Sequence, residues 1–132
     1  MQVLLCGDPQ QPSEYMYKAF ESLESRDVSF KRMDWMSDST PTEFRNVTMD
    51  MESLGPGSYD TDAIAENLDD VDALVVHKAP VSRDLIEDAD LSHVGAARGG
   101  TENIDIEAAD ENDVTVLHAP GRNRDAVADY AV

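Results

Sequence analysis

Leu91-Ser-His-Val-Gly-Ala-Ala-Arg-Gly-Gly-Thr-Glu-Asn-Ile-Asp105 is the stretch that decides the fold. An apolar run, Leu91 to Ala96, enters a glycine turn, and a helix-like pattern follows from Ile104 to Asn112. The same order returns at once, with apolar Val114 to Leu117, the turn Ala119-Pro-Gly-Arg-Asn123, and helical spacing after it. A strand that runs through a glycine turn into a helix leaves backbone N–H groups pointing outward, where an anion can bind. Gly99 and Gly100 have no Cβ, so a carboxylate could approach their peptide planes closely, and one of them could take positive φ.

Working outward, the βα order extends along the chain. Gln2 to Cys6 reads as a buried strand ending at Gly7-Asp-Pro9, and Ser13 opens an amphipathic helix with Tyr17, Phe20 and Leu23 near one face. Asp27 to Met33 alternates as a strand does. Thr40-Pro-Thr-Glu43 is a capping box with proline at the first helical position, opening a helix that carries Phe44, Val47 and Met51. Leu54-Gly-Pro-Gly57 breaks it. A helix over 60–68, a strand over 73–76 and a short helix over 80–89 lead back to the opening stretch. Short strands alternating with helices predict an α/β fold, a flavodoxin-like parallel sheet of about five strands with helices on both faces. Ligands of such sheets bind outside the carboxyl ends of the strands. Gly7 to Pro9, His77 to Pro80, Ala97 to Gly100 and His118 to Asn123 all fall there.

Composition bounds the setting. The 132 residues predict one domain with a genuine core, and no apolar run is long enough to suggest a membrane span. Met1-Gln-Val-Leu-Leu-Cys lacks the basic start and long apolar core of a signal peptide. The single cysteine, Cys6, excludes an internal disulfide and fits a reducing cytoplasm as a small buried hydrophobe. Twenty-eight acidic residues face ten basic ones, of which only Lys18, Lys31 and Lys78 are lysine, for a net charge of −18. The acids are dispersed, so the whole surface is anionic. Molar salt shortens the Debye length to about 3 Å and relieves such self-repulsion, which points to a salt-loving source. Sequence-independent binding to nucleic acid or anionic membrane is excluded by the same charge. His77, His93 and His118 have no metal-ligand spacing and no adjacent nucleophile signature. His93 reads as a strand residue without a chemical role.

Residues 94–132 resemble the D-isomer-specific 2-hydroxyacid dehydrogenase family, which includes phosphoglycerate dehydrogenases and glyoxylate/hydroxypyruvate reductases. The residues that carry the likeness are Gly95, Gly100-Thr-Glu-Asn-Ile-Asp105, Glu107-Ala-Ala109, Ala119-Pro-Gly121, Asn123 and Ala126-Val-Ala-Asp129. Val75-Val-His-Lys-Ala-Pro-Val81 sits where the family has a strand ending at the substrate mouth. Glu102 and Asp129 exchange the family's usual Asp and Glu, and Arg98-Gly99 replaces its commoner Gly-Val or Gly-Thr.

The resemblance implies a substrate-binding domain over residues 1–121 and, over 122–132, the start of a helix leading to an NAD-binding domain. No Gly-x-Gly-x-x-Gly fingerprint stands in the chain, so NAD or NADP is expected to bind the full-length family member and not this chain alone. The chain is read as an incomplete enzyme, without the family's catalytic Arg, Glu and His. By resemblance, Gly99 and Gly100 give N–H groups to the carboxylate of a 2-hydroxy or 2-keto acid. His77 and Lys78 form the other substrate-facing turn, and Asn123 lies near the substrate and hinge. Arg98 has the chemistry to pair with a carboxylate or phosphate. An exposed Val127/Tyr130/Ala131 stripe would favour a homodimer. The alternative reading is a free-standing flavodoxin-like module that binds carboxylates or docks on a partner without catalysis.

Overall fold

The computed structural model describes residues 1–98 and 100–118. Five strands, β1 (Gln2–Gly7), β2 (Ser29–Asp34), β3 (Ala73–Val76), β4 (His93–Ala96) and β5 (Thr115–His118), form one sheet in the order β2-β1-β3-β4-β5. Every pairing is parallel. The chain steps from β1 to β2 in one direction, then crosses β1 and continues outward in the other. Right-handed crossovers therefore place the first connecting helix on one face and the later ones on the opposite face.

The packing follows that rule. Helix α1 (Ser13–Phe20) covers Val3, Leu5 and Ala73 through Met16, with Tyr17, Phe20 and Phe30 partly buried beside them. The other face packs Leu4, Cys6, Leu74, Val76, Val94 and Ala96 against α2 (Pro41–Leu54), α3 (Asp62–Ala65), α4 (Arg83–Asp88) and α5 (Ile106–Glu111). The strands are near-continuous apolar runs because the centre of a parallel sheet is buried on both sides. The α1 face is only half covered among the described residues. Val75, Gly95 and Leu117 stand in register across β3, β4 and β5, and Leu117 is 56% exposed.

Element boundaries are shorter than the apolar pattern predicts. Helix α1 stops at Phe20 and tightens into a 3₁₀ turn over Glu21–Leu23, which leaves Leu23 exposed rather than on the packed face. The helix expected over 60–68 is a single turn, Asp62–Ala65. The helices expected over 80–89 and 104–112 begin late, at Arg83 and Ile106, because Ser82 and Asp105 are their N-caps. The capping box at Thr40 and Glu43 forms as read, and Gly55, at φ 78°, ends α2. The final helical segment and residues 122–132 lie outside the described residues.

Candidate active site at the carboxyl ends of the strands

The sheet order reverses between β1 and β3, the place where ligands of such sheets bind, and the turns after these two strands are joined there by Asp8. The β1 turn is built around Gly7. A Cβ there would collide with the backbone N of Ser13 and stand 2.6 Å from Asp34 Oδ1 and 2.7 Å from the Gln11 carbonyl. Only glycine lets α1 start this close to the strand. Asp34, at the end of β2, supplies the cap that Pro12 cannot: it accepts from Ser13 N at 2.7 Å and from Ser13 Oγ at 2.8 Å.

Asp8 follows and is turned inward, 1% exposed. Its Oδ1 accepts from the backbone N–H of Gln10 and of Gln11, both at 2.8 Å. Its Oδ2 accepts from Lys78 N and lies 2.9 Å from His77 Nδ1. Burial alone would raise the Asp8 pKa. The bonds from His77, Gln11 and Lys78 outweigh it and hold the carboxyl below the ordinary aspartate range. The same charge, with Asp34 behind it, adds to burial in pushing the Cys6 thiol up to about 12.

The β3 turn, His77-Lys-Ala-Pro80, is locked from the other side by Asn103. This side chain is 1% exposed, and its Nδ2 donates to the carbonyls of Ala79 at 2.7 Å and His77 at 3.3 Å. Its Oδ1 is buried without a partner among the described residues. Residues 101–105 run beside Val81, which donates to the Asn103 carbonyl at 2.7 Å and accepts from Asp105 N at 2.9 Å. The turns after β3 and β4 are thereby one unit. Ala97 N, bonded to the Val76 carbonyl at 2.7 Å, completes it.

The structure brings His77, Lys78, Arg98 and Gly100 to the same end of the sheet. Gly99 and Asn123 lie outside the described residues. Among the described residues Lys78 makes no ion pair, whereas Arg98 pairs with Glu102 at 3.3 Å. Glu102 also lies over Gly100, where an added Cβ would meet its carboxylate oxygens, one of them at 2.8 Å. A carboxylate of the chain itself thus covers the open face of Gly100. Gly100 does not have positive φ. Nor does it open directly onto α5, whose N-cap is Asp105, donated to by Ala108 N at 3.0 Å. Residues 101–105 intervene because they are engaged with Val81. His93 lies in β4, its Nδ1 2.9 Å from Ser92 Oγ.

Asn103 was not among the sequence-predicted site residues, and Asp8 was placed only within the candidate turn Gly7 to Pro9, with no role of its own. Asp8 carried a visible signal, an acid directly after a buried strand. Asn103 carried none beyond its motif, because its role is to bond carbonyls twenty-odd residues away in the chain. Among the described residues no cluster of His, Cys, Asp and Glu could hold a metal ion, and no helix is long and apolar enough to cross a membrane.

Comparison with known proteins gives the same answer as the geometry. The family described as "D-isomer specific 2-hydroxyacid dehydrogenase, catalytic domain" matches residues 27–131. Erythronate-4-phosphate dehydrogenase of Acinetobacter baylyi is 39% identical over 69 residues, 52% of this chain and 19% of that protein. D-3-phosphoglycerate dehydrogenase of Methanocaldococcus jannaschii is 40% identical over 71 residues, 52% of this chain and 14% of that one. The chain therefore spans less than a fifth of the length of these relatives. In three dimensions it is similar to the D-lactate dehydrogenase of Escherichia coli, with TM-score 0.62, 17% identity, and coverage of 98% of this chain and 35% of that one. The NAD-dependent formate dehydrogenase of Staphylococcus aureus aligns with TM-score 0.62 and 18% identity, over 99% of this chain and 36% of that one. At these identities the structural likeness establishes the shared fold. A family match across most of the sequence, on an all-parallel sheet, shows that the chain belongs to the D-isomer-specific 2-hydroxyacid dehydrogenase family, as its catalytic domain.

Proposed function

We propose that this domain binds the carboxylate of a small 2-hydroxy or 2-keto acid in the crevice at the carboxyl ends of β1, β3 and β4. In the complete enzyme that acid would exchange a hydride with NAD or NADP. The observation that carries the reading is the collection of His77, Lys78 and Arg98 at one end of the sheet in a chain of net charge −18. Cations are scarce here; Arg98 is paired with Glu102 and His77 with Asp8, while Lys78 is in no ion pair among the described residues and can meet an anion. In this reading Gly99 and Gly100 offer N–H groups to the carboxylate. His77 and Lys78 form the facing wall, Arg98 pairs with the acid, and Asn123 closes the site near the hinge. Both named curated relatives are dehydrogenases of phosphorylated acids by name, which supports a phosphorylated 2-hydroxy acid as the substrate class.

The residues present do not themselves fit a dinucleotide. In a nucleotide-binding βα turn the backbone N–H groups face a pyrophosphate. Here the N–H groups of Gln10, Gln11 and Ser13 are already taken by Asp8 and Asp34. We therefore place the cofactor on a second domain entered after residue 121, and no step is drawn through it. Bound there, the nicotinamide would supply or accept the hydride, while this domain orients the acid.

Equilibrium binding by the isolated chain tests the reading. Glyoxylate, hydroxypyruvate or 3-phosphoglycerate should bind saturably, and NADH should not. Saturable NADH binding would remove the division of labour. Failure of every acid to bind would leave the partner-docking module as the better account.

A further inference from the structure

His77 walls the proposed site, and its pairing with the buried Asp8 gives that wall a further property. A carboxylate at 0% side-chain exposure that accepts from four donors is a fixed acceptor. Facing an ionised carboxylate, His77 Nδ1 must carry the hydrogen. Its other nitrogen, Nε2, has no protein partner among the described residues, and the side chain is 17% exposed. One pole of the imidazole is thus anchored in the core at the switch point of the sheet, and the other has no partner among the described residues. A buried carboxylate that sets the tautomer of a histidine with a free second nitrogen is an arrangement that orients the ring toward a ligand.

We infer that Asp8 is a positioning residue for His77, and that His77 meets the bound acid through Nε2. This rests on the proposed carboxylate site. In the complex both ring nitrogens donate, Nδ1–H to Asp8 and Nε2–H to a ligand oxygen, and the imidazolium lies between two carboxylates. The hydrogen that Nε2 donates is drawn from solvent, and no other bond changes. Of the charged groups on the neighbouring turns, Asp8 of the β1 turn meets the ring, Lys78 follows it in the chain, and the Arg98–Glu102 pair stands on the turn after β4. Asp8 is the one in direct contact with it.

The test is the ¹⁵N spectrum of the histidine side chains in the full 132-residue chain, with oxalate as the probe. The His77 lines are those lost in His77→Gln. The expected result is hydrogen on Nδ1 in the free protein, an Nε2 line that moves with oxalate, and oxalate binding that tightens as pH falls. Asp8→Asn places an amide NH₂ against N–H donors whichever way it turns, so it should scramble the tautomer and weaken oxalate about tenfold or more. Hydrogen on Nε2 alone, with Nδ1 bare, in the free wild type overturns the inference without any variant, should Asp8→Asn fail to fold. Oxalate binding that leaves His77 unmoved also overturns it, while the carboxylate site stands. Absence of oxalate binding removes the site and the inference together.

Discussion

Asn103 holds the turn after β3 by donating to the Ala79 carbonyl at 2.7 Å, from a loop that belongs to β4. The amide nitrogen also reaches the His77 carbonyl, so this one side chain sets the spacing of both turns that wall the proposed site. Replacing it tests whether the donors matter or only the volume. Asn103→Ala removes two hydrogen bonds together with the orphaned Oδ1 and should cost about 1–3 kcal/mol. Asn103→Asp keeps the size but sets a carboxylate against two carbonyls, and should be the more destabilising of the two. Urea unfolding midpoints at pH 7 give the order.

Gly7 is the tightest contact under the site. Gly7→Ala should destabilise by about 1–3 kcal/mol or more, since the neighbours that would have to give are backbone atoms of Gln11 and Ser13. Gly100→Ala, where only the end of the Glu102 side chain must move, should be far milder. Denaturation curves for the pair separate a structural glycine from a permissive one.

In the proposed site Glu102, which pairs with Arg98 and lies over Gly100, would compete with the bound acid. Glu102→Gln keeps the shape and removes the charge. It should tighten oxalate or glyoxylate binding several-fold, read by titration calorimetry, while the urea midpoint stays within about 0.5 kcal/mol of wild type.

Asp8 makes stability depend on acid. Its folded pKa lies below the ordinary value of about 3.9. Its contribution is therefore complete above that value and is lost as pH falls through the lower, folded one. The wild type should lose stability below about pH 4 more steeply than Asp8→Asn, once other carboxylates are matched by comparing slopes. Cys6, with its pKa pushed up to about 12, should resist thiol reagents at neutral pH until the chain unfolds.

The dispersed charge of −18 predicts a salt response of the whole fold. Thermal unfolding midpoints should rise as KCl is taken from dilute to molar, by screening of self-repulsion. A flat or falling curve would argue against the high-salt reading.

Much of this architecture was legible in the residues because the signals were local. The capping box at Thr40, the breaker at Gly55 and the apolar run over Ala73–Val76 each specify their own structure. The site turns were legible as positions, since strands that end in polar or glycine residues mark one end of a parallel sheet. What stayed hidden depends on distant partners. Asp8 reaches across 69 residues to His77, Asn103 across 24 to Ala79, and Asp34 across 21 to cap α1 at Ser13. The glycine turn at Gly100 was read as opening a helix because nothing local shows that residues 101–105 are held by Val81. Helix ends were overrun for a similar reason. Apolar spacing continues past the point where tertiary contact ends, as at Leu23.

The most direct measurement is a backbone amide titration of the ¹⁵N-labelled chain with oxalate. The account predicts saturable shifts gathered at Gly7–Gln11, His77–Ala79 and Ala97–Gly100, the turns at the carboxyl ends of β1, β3 and β4. Shifts confined to residues away from these turns, or no shifts at all, would contradict it.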